Sequence, residues 1–327
     1  MTILITGGAG YIGSHMVYAA LESGRDVVVL DNLSTGVRAL VAEGARFHQA
    51  DISDQPCVRH LLQHYAVTSV IHFAGSVVVP ESVEQPLTYY ANNSSGSRNL
   101  IETCLQAGVR NFIFSSTAAV YGLPKRNPVT EEMPVSPINP YGRSKLMIEW
   151  MLEDAARAHD FRFVSLRYFN VAGADPKGRT GQSTPQATHL IKRACQVALG
   201  RSPHLDIFGT DFPTPDGTGV RDYIHVTDLV GAHALALDHL ERGGKSCTLN
   251  CGYGHGFSVR QVIDVVSKVA GHKLRTREVP RRAGDPPEIV ADSAKLKREF
   301  GWRVEHDDLQ EIVTTAYAWE KKLKSFT

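Results

Sequence analysis

The stretch TILITGGAGYIG, residues 2–13, decides the fold predicted for this chain. Its first five residues form an apolar run typical of a β-strand, and a helical pattern follows the glycines directly. Gly7, Gly10 and Gly13 fit a turn in which bare backbone approaches a pyrophosphate and the helix packs close to the strand. The helix N-terminus then offers free N–H groups to the phosphate charge. The stretch therefore predicts a dinucleotide-binding turn.

Outward from this stretch, short apolar runs alternate with helical patterns. We predict strands at 3–6, 26–31, 46–49, 69–73, 111–116, 162–168 and 246–250. We predict helices at 13–23, 55–64, 92–107, 141–159, 258–270 and 309–324. Near-continuous apolar strands are typical of a parallel sheet that is covered on both faces. The pattern predicts an α/β fold: a Rossmann-like, doubly wound parallel sheet with a smaller C-terminal substrate-binding lobe.

The amino-acid composition changes after residue 168, and this change suggests how the chain is divided into domains. We expect residues 1–171 to form an NAD-binding Rossmann domain, with 222–250 returning to it. Residues 172–221 and 251–327 are expected to form the substrate-binding lobe. This lobe should lie over the carboxyl edge of the sheet, where ligands bind in such folds.

The composition excludes several classes of function. The 327 residues are 43% hydrophobic and carry a net charge of +1, so no global field favours nucleic acid or an anionic membrane. Five scattered cysteines and fourteen dispersed histidines predict neither a disulfide framework nor a metal site. No leader precedes the first predicted strand, and no run approaches the roughly 20 apolar residues of a membrane span. We expect a cytoplasmic protein.

An acidic residue after the second predicted strand indicates which dinucleotide binds. The carboxylate of Asp31 can accept hydrogen bonds from both hydroxyls of a cofactor ribose, and it would repel a 2′-phosphate. NAD is therefore predicted rather than NADP. Asp51 and Ile52, after the third strand, fit a contact with the adenine. The further cofactor contacts predicted around these motifs are Tyr11, Ile12, Asn32, Ser34, Thr35, Gly36 and Ser115.

A tyrosine and a lysine at a predicted helix start supply candidate chemistry. Tyr141 and Lys145 are four residues apart and share one helical face. A tyrosine with an ordinary pKa of about 10 is a poor base at neutral pH. A nearby ammonium together with the positive nicotinamide favours the phenolate, so we expect a lowered pKa for Tyr141. Thr117, after the fifth strand, could bond the reacting hydroxyl and pass its proton to Tyr141.

Several motifs together carry a family resemblance. TGGAGYIG (6–13), the strand end SST (115–117) and YGRSK (141–145) resemble the extended short-chain dehydrogenase/reductase superfamily. The stretches HFAG (72–75), ESVEQPLTYYANN (81–93), YGRSKLMIE (141–149), LRYFNVAGAD (166–175), IFGTDFPTPDGTGVRDYIHV (207–226) and RRAGDPP (281–287) resemble, more closely, the UDP-glucose 4-epimerase family. The likeness extends from residue 2 to about 319, and its most specific part is residues 216–226.

The resemblance implies an activity and an assembly. The expected activity is that of an isomerase of galactose metabolism, an NAD-dependent epimerase. It would interconvert UDP-glucose and UDP-galactose by reversible oxidation at C4 through a 4-keto intermediate. The resemblance also implies a homodimer, with the predicted helices 92–107 and 141–159 as candidate interface elements.

The resemblance further implies roles for particular residues. Phe73, Ala74, Gly75 and Asn92 would line the NAD pocket, with Tyr168 and Phe169 near the nicotinamide. The nucleotide sugar would contact Asn170, His189, Leu190 and Phe208, and its diphosphate and ribose would contact Arg221, Arg282 and Asp285. A diphosphate needs cationic partners, which agrees with the two arginines. We expect His225 to pack at a strand rather than to take part in catalysis.

Two positions depart from the family pattern and leave the substrate open. Val77 stands where some of these epimerases carry a lysine near the nicotinamide. Ile289, near the position that controls the room for the C2 substituent, is of intermediate size, so UDP-N-acetylglucosamine remains an alternative substrate. UDP-glucuronate or a UDP-pentose could also be the substrate, and a non-catalytic NAD(H)-binding regulator could have the same fold. A dTDP-glucose 4,6-dehydratase would need an acid and a base where Ala118 and Ala119 stand.

Overall fold

A computed structural model describes residues 1–184, 187–282 and 284–323. Its strands are β1 (Thr2–Thr6), β2 (Asp26–Asp31), β3 (Arg46–Gln49), β4 (Val67–His72), β5 (Asn111–Ser115), β6 (Arg162–Tyr168), β7 (Asn170–Ala172), β8 (Leu205–Phe208), β9 (Val220–Arg221), β10 (Tyr223–His225), β11 (Cys247–Cys251), β12 (Phe257–Ser258), β13 (Thr276–Val279) and β14 (Glu288–Ile289). Its α-helices are α1 (Tyr11–Glu22), α2 (Gln55–His64), α3 (Val79–Glu84), α4 (Pro86–Tyr89), α5 (Gly96–Gln106), α6 (Pro140–Ala158), α7 (Leu190–Ala198), α8 (Val226–Glu241), α9 (Val259–Ala270), α10 (Ala294–Phe300) and α11 (Leu309–Lys322).

Seven parallel strands form the central sheet, in the order β11-β6-β5-β4-β1-β2-β3. Starting from β3, the first six strands have the order of a doubly wound dinucleotide-binding sheet, in which the winding reverses between β1 and β4. Ligands bind in such sheets at this reversal, outside the carboxyl ends of the strands. The predicted α/β fold is confirmed.

Strand β2 shows why the strands of this sheet are apolar throughout. Val27 and Val29 point to one face, where α1 and α8 cover the sheet. Val28 and Leu30 point to the other face, where α2, α5 and α6 cover it. Side chains alternate between the faces of a strand, so a sheet covered twice needs apolar residues at every position.

The start of α6 places the candidate catalytic helix at the sheet edge. Asn139 caps the helix, because its side-chain oxygen accepts a hydrogen bond from the backbone N–H of Gly142 at 2.8 Å. Pro140 occupies the first helical position, where its missing N–H has no intrahelical partner to lose. The helix therefore begins one residue before Tyr141, and this side chain lies in its first turn.

The second half of the chain adds both to the sheet and to a lobe above it. Strand β11 pairs with β6 at the sheet edge, and α8 packs on the same face as α1. Helices α7, α9 and α11 pack together. The second half of the chain also contains the strand pairs β7–β10 and β8–β13 and the three-stranded sheet β12-β9-β14. In the described part of the chain, no helix is long and apolar enough to cross a membrane.

Most of the predicted elements are present, with differences at particular boundaries. The predicted strands at 26–31, 46–49 and 162–168 match β2, β3 and β6. The predicted helix 92–107 is wrong at its start, because residues Tyr90–Ser95 form a π-helical segment and α5 begins at Gly96. Apolar periodicity does not reveal such a local widening of the helix. The helices α7 and α8 were not predicted, and the predicted end of the last helix, Lys324, lies outside the described residues.

Candidate functional site

A cleft of about 1850 Å³ lies where the carboxyl ends of the sheet strands meet the C-terminal lobe. A site for one small ligand typically has about 300–1,000 Å³, so this cleft has room for two ligands. The predicted site residues that line it are Gly7, Gly10, Tyr11, Ile12, Gly13, Asp31, Asn32, Ser34, Thr35, Asp51, Ile52, Phe73, Ala74, Gly75, Asn92, Thr117, Tyr141, Tyr168, Phe169, Asn170, His189, Leu190, Phe208, Arg221, Arg282 and Asp285.

Three predicted cofactor contacts lie behind this lining. Gly36 packs against the carboxylate of Asp31, so closely that a Cβ on it would lie 2.8 Å from an Asp31 oxygen. The hydroxyl of Ser115 is not part of the lining and is 3.1 Å from Nε2 of His233. Lys145 donates to the carbonyl of Ser115 at 3.1 Å. These three residues support the lining from behind.

The glycine turn has room for a ligand only because it carries no side chains. Gly7 has φ +70°, a conformation that favours glycine. A Cβ on Gly13 would lie 2.1 Å from the carbonyl oxygen of Gly7, and one on Gly7 would lie 2.6 Å from the nitrogen of Ala74. Gly10 precedes α1 and offers no side-chain cap, so the N–H groups of the first turn remain for an anion. This backbone cradle fits the pyrophosphate of a dinucleotide.

The residues that follow β2 and β3 form the far end of the cleft. The buried carboxylate of Asp31 accepts hydrogen bonds from the backbone N–H groups of Ala9 at 2.9 Å and Leu33 at 2.8 Å. These bonds hold the carboxylate at the strand end, beside the glycine turn. Asn32 donates to Asp51 at 2.8 Å, which joins the ends of the two strands. The donors and acceptors here fit the ribose and adenine of NAD.

Tyr141 and Thr117 meet in the middle of the cleft. Both side chains are buried among protein atoms and line the cleft, and Thr117 acts to lower the pKa of the Tyr141 phenol. Thr117 also accepts a hydrogen bond from the backbone N–H of Ala119 at 3.1 Å, which fixes its side chain. A hydroxyl of a substrate placed beside this pair would reach a donor and a potential base together.

Lys145 lies beneath this pair. Its ammonium lies 4.9 Å from the centre of the Phe114 ring, in addition to its bond to the carbonyl of Ser115. A Cβ on Gly75 would lie 3.8 Å from Nζ, so the loop after β4 passes close to it. Burial lowers the pKa of Lys145 to about 8, while the charge of Glu149 acts in the opposite direction. The lysine is therefore a buried cation whose charge depends on its neighbours.

Burial sets the pKa of Tyr141 in the protein itself. It raises this pKa and the neighbouring Tyr168 adds to the rise, whereas Thr117 acts in the opposite direction. The ammonium of Lys145 bonds to the backbone carbonyl of Ser115. The predicted lowering of the pKa also counted the positive nicotinamide, so it stays a prediction for the complex with NAD.

The sequence analysis missed an asparagine that joins the two halves of the catalytic region. Asn93 accepts a hydrogen bond from the backbone N–H of Ser76 at 2.7 Å and donates to the hydroxyl of Ser144 at 3.0 Å. Ser144 in turn donates to the carbonyl of Tyr141 at 2.8 Å. The adjacent Asn92 donates to the hydroxyl of Ser76 at 2.7 Å. Two consecutive asparagines within a predicted helix were the available signal, because asparagine disfavours helix interiors.

The lobe side of the cleft brings together two arginines and an aromatic ring. The guanidinium carbon of Arg282 lies 3.7 Å from the centre of the Phe208 ring. Arg221 donates to the carbonyl of Val220 at 2.8 Å, and its other nitrogen lies 3.7 Å from a carboxylate oxygen of Asp285. These side chains come from three separate segments. Together they form a cationic wall with an apolar surface, which suits the diphosphate and base of a nucleotide.

The remaining positions agree with their predicted surroundings. Val77 lines the cleft and is 48% exposed, whereas Ile289 is buried in its wall on β14. Ala118 and Ala119 line the cleft beside Thr117. His225 is fully buried at the end of β10, where it caps α8, as expected of a packing residue. Lining residues that the sequence analysis missed include Arg193, His204 and Tyr223.

Potential metal ligands do not cluster in the cleft or elsewhere in the described chain. Among residues 1–184, 187–282 and 284–323, no group of three or more histidine, cysteine or acidic side chains is placed to hold a metal ion.

Comparisons with known proteins agree with this geometry. The sequence model of the NAD dependent epimerase/dehydratase family matches residues 3–252. A UDP-glucose 4-epimerase from Azospirillum brasilense is 53% identical over 322 residues, which cover 98% of this chain and 92% of that protein. The structure of UDP-glucose 4-epimerase from Brucella ovis in complex with NAD is 44% identical, with a TM-score of 0.95 and 98% coverage of both chains. That from Bifidobacterium longum in complex with NAD⁺ and UDP is 37% identical, with a TM-score of 0.93 and 98% coverage of both.

Proposed function

This chain belongs to the NAD dependent epimerase/dehydratase family, and we propose that it interconverts UDP-glucose and UDP-galactose. One observation carries the proposal. Thr117 and Tyr141 line the same cleft as the glycine turn and the two arginines, and Lys145 lies behind the lining with its ammonium close to Gly75. A sugar C4 hydroxyl must meet a base and an oxidised nicotinamide in such a cleft.

The residues present fit NAD as the cofactor. The backbone of Gly7, Gly10 and Gly13 would hold the pyrophosphate, and Asp31 the adenosine ribose. Bound NAD supplies the reversible oxidation of the C4 carbon. Phe73 and Tyr168 line the cleft near Thr117 and would exclude water from the nicotinamide side.

The protein side of the reaction is a proton transfer. Tyr141, as phenolate, takes the proton of the C4 hydroxyl and later returns it to the same oxygen, after the sugar has turned its other face to the cofactor. Thr117 lines the cleft with Tyr141 and would bond the reacting oxygen, so it could carry the proton to Tyr141. Lys145 favours the phenolate by its charge. The burial of all three groups strengthens these interactions and keeps water from the keto sugar.

The lobe side of the cleft would hold the sugar nucleotide by its UDP portion. Arg221 and Arg282 can bond the diphosphate, and Phe208 offers an apolar surface to the base. Holding the UDP portion leaves the hexose free to turn about its bond to the diphosphate. A sugar that turns can receive its hydrogen back on either face, which is what inversion at C4 requires.

The division into two domains and the location of the protein belong to the same proposal. We assign residues 1–171 and 222–250 to the NAD-binding domain, which is supported by the packing of α8 and β11 on the central sheet. We assign residues 172–221 and 251–327 to the substrate-binding lobe.

A cytoplasmic location stays a prediction from the sequence, and the five cysteines are unpaired.

We also propose a homodimer through the predicted helices 92–107 and 141–159. Helix α6 supports this, because it exposes Trp150 and Met147, large apolar side chains that a second copy could cover. We expect the mass from light scattering to be that of two chains and to fall to one chain in Trp150→Glu. Leu123→Glu, at an exposed apolar residue outside both helices, is the control and should keep the larger mass.

The competing activities differ in the region of the sugar. Ile289 narrows the cleft wall less than an aromatic residue would, so an N-acetyl group at C2 remains a possible substituent. A uronate or pentose would differ at C5. A dehydratase activity is disfavoured, because the methyl groups of Ala118 and Ala119 occupy the wall beside Thr117 and can neither donate nor accept a proton.

Product analysis tests the proposal. Purified protein with NAD is incubated separately with UDP-glucose, UDP-galactose, UDP-N-acetylglucosamine, UDP-glucuronate and UDP-xylose, and the products are separated by chromatography. We expect the first two substrates to give one common mixture. Conversion of another pair alone would move the assignment to that pair, and NAD binding without conversion of any sugar would support a regulator.

A further inference from the structure

A buried ion pair lies directly behind the catalytic residues. Glu149 on α6 is 1% exposed, and Arg167 on β6 donates to it from Nη2 at 2.6 Å and from Nε to both oxygens at 3.0 and 3.2 Å. The hydroxyl of Ser116 donates to the same carboxylate. Arg167 also donates to the hydroxyl of Tyr121 at 3.0 Å. The sequence analysis and the mechanism above use none of these residues.

Each member of this group is next to a residue of the site. Glu149 lies one helical turn after Lys145 on the same helix, so their side chains share one face. Ser116 directly precedes Thr117, and Arg167 directly precedes Tyr168. The ends of β5 and β6 are neighbours in the sheet, which brings the three together. The ion pair thus forms a second layer beneath the cleft.

The groups that face Lys145 show which charges it senses. On β4, burial lowers the pKa of His72 to about 3, with Lys145 adding to the effect, so this imidazole is neutral at pH 7. Tyr89 on α4 and Tyr168 on β6, which act on Tyr141, are neutral as well, because burial raises their pKa values. On β5 the neighbours are the ring of Phe114 and a backbone carbonyl. Within the described residues, the charge that faces Lys145 comes from Glu149.

We propose that Glu149 is a positioning residue that keeps the buried ammonium of Lys145 charged. Arg167 sets how strongly the negative charge of Glu149 acts on that ammonium. The inference rests on the proposed function, because it assigns these two residues to the same catalytic site. Ser116 holds the carboxylate from the strand that carries Thr117.

The reason lies in the balance of two opposing effects. Burial disfavours the charged form of a lysine, and without an opposite charge nearby such a group loses its proton near neutral pH. A carboxylate that faced Lys145 alone would pair with it too firmly for the ammonium to act on Tyr141. Arg167 also pairs with the carboxylate of Glu149. The ammonium of Lys145 therefore stays charged, and its charge can still act on the phenol of Tyr141.

Two substitutions separate this role from a purely structural one. Glu149→Gln removes a negative charge, so Lys145 should release its proton at lower pH, and Tyr141 should then release its proton at higher pH because the ammonium is gone. Arg167→Gln removes a positive charge, so Lys145 should hold its proton to higher pH. We expect the alkaline limb of the profile of kcat against pH, where Lys145 loses its proton, to move by about one unit or more, to lower pH in the first variant and to higher pH in the second.

A second measurement does not depend on turnover. The ionisation of Tyr141 is followed by ultraviolet difference absorbance, with the same titration of the matching Tyr141→Phe protein subtracted. We expect Tyr141 to release its proton at higher pH in Glu149→Gln, because the ammonium that favours the phenolate is lost. If the unmodified protein converts no sugar nucleotide, the proposed function fails, yet the titration still decides the role of Glu149.

Matched controls exclude a general effect of losing a buried ion pair. Glu320 on α11 is equally buried and pairs with Lys192 at 2.9 Å and Arg201 at 2.8 Å. Glu320→Gln should lower stability and leave the pH profile in place. Arg167→Lys keeps the charge and should restore the profile. Should Glu149→Gln fail to fold, the two Arg167 variants carry the test.

The outcome that overturns the proposal is equally definite. Folded Glu149 and Arg167 variants whose alkaline limbs and Tyr141 titrations stay in place, or whose alkaline limbs move in the same direction, would show that the ion pair only anchors α6 to the sheet.

Discussion

The two sides of the cleft are built in different ways. The dinucleotide side rests on one continuous turn, in which Gly7 and Gly13 approach so closely that side chains are excluded. The sugar-nucleotide side gathers Phe208, Arg221 and Arg282 from three separate segments of the lobe. The first is shaped by backbone sterics and the second by the charges of side chains. Substitutions on the two sides should therefore alter different binding constants.

The largest effect is expected where the two sides meet. Tyr141→Phe removes the proton acceptor and keeps the ring, so kcat should fall by about 10²–10⁴, the usual contribution of a general base. NAD content, measured after denaturation of the purified protein, should be unchanged. Tyr317→Phe, on α11, is the control and should leave kcat as it is. Full turnover by the Tyr141 variant would remove this residue from its assigned role.

The next largest effect should fall on the dinucleotide side alone. In Gly13→Ala the added methyl group would meet the carbonyl oxygen of Gly7 at 2.1 Å, so the turn must shift. We expect a loss of about 1–3 kcal/mol in the free energy of unfolding, and NAD affinity lowered at least about tenfold. Urea unfolding and calorimetric titration with NAD measure these.

A glycine with open space around it provides the control. A Cβ on Gly231, within α8, meets no atom within 4 Å. Gly231→Ala should bind NAD normally and gain about 0.5–1 kcal/mol of stability, since alanine favours the helix. If both alanine variants bound NAD equally, the close approach of Gly7 and Gly13 would not matter for the cofactor.

A smaller effect is expected on the sugar-nucleotide side. Arg282→Gln removes a charge from the cleft wall, where Arg282 lies over Phe208. The KM for UDP-glucose should rise about tenfold, the equivalent of one charge-assisted hydrogen bond, with NAD affinity unchanged. The neighbouring Arg281 pairs with Asp211 outside the lining, so Arg281→Gln is a matched control. Equal KM values in the two variants would contradict the assignment.

The smallest effect concerns the choice between cofactors. Asp31→Asn removes the charge beside the glycine turn and keeps one side-chain oxygen as acceptor. Because repulsion between two charges near water is worth about 1 kcal/mol, the preference for NAD over NADP should fall about fivefold. Dissociation constants for both dinucleotides measure this. An unchanged ratio would mean that another group excludes the 2′-phosphate.

The pKa of Tyr141 shows where sequence reasoning ended. The spacing of Tyr141 and Lys145 was enough to place both in the first turns of one helix. It could not show that Lys145 would bond to the carbonyl of Ser115, or that burial would raise the phenol pKa. Both effects come from atoms outside α6, mainly on β5 and β6, and the packing of these strands against the helix exists only in the folded chain.

The sequence by itself determined the parallel sheet and the glycine turn, and it placed Tyr141 and Lys145 on one face of the same helix. These follow from contacts within a few residues, which leave a pattern in the order of the amino acids. Only the tertiary structure decided that Asn93 joins the loop after β4 to the helix of Tyr141, and that Glu149 and Arg167 lie beneath Lys145. It also decided that Arg221 and Arg282 line one wall of the cleft. Such contacts join residues of different elements, and their energies depend on a burial that exists only once the chain has folded.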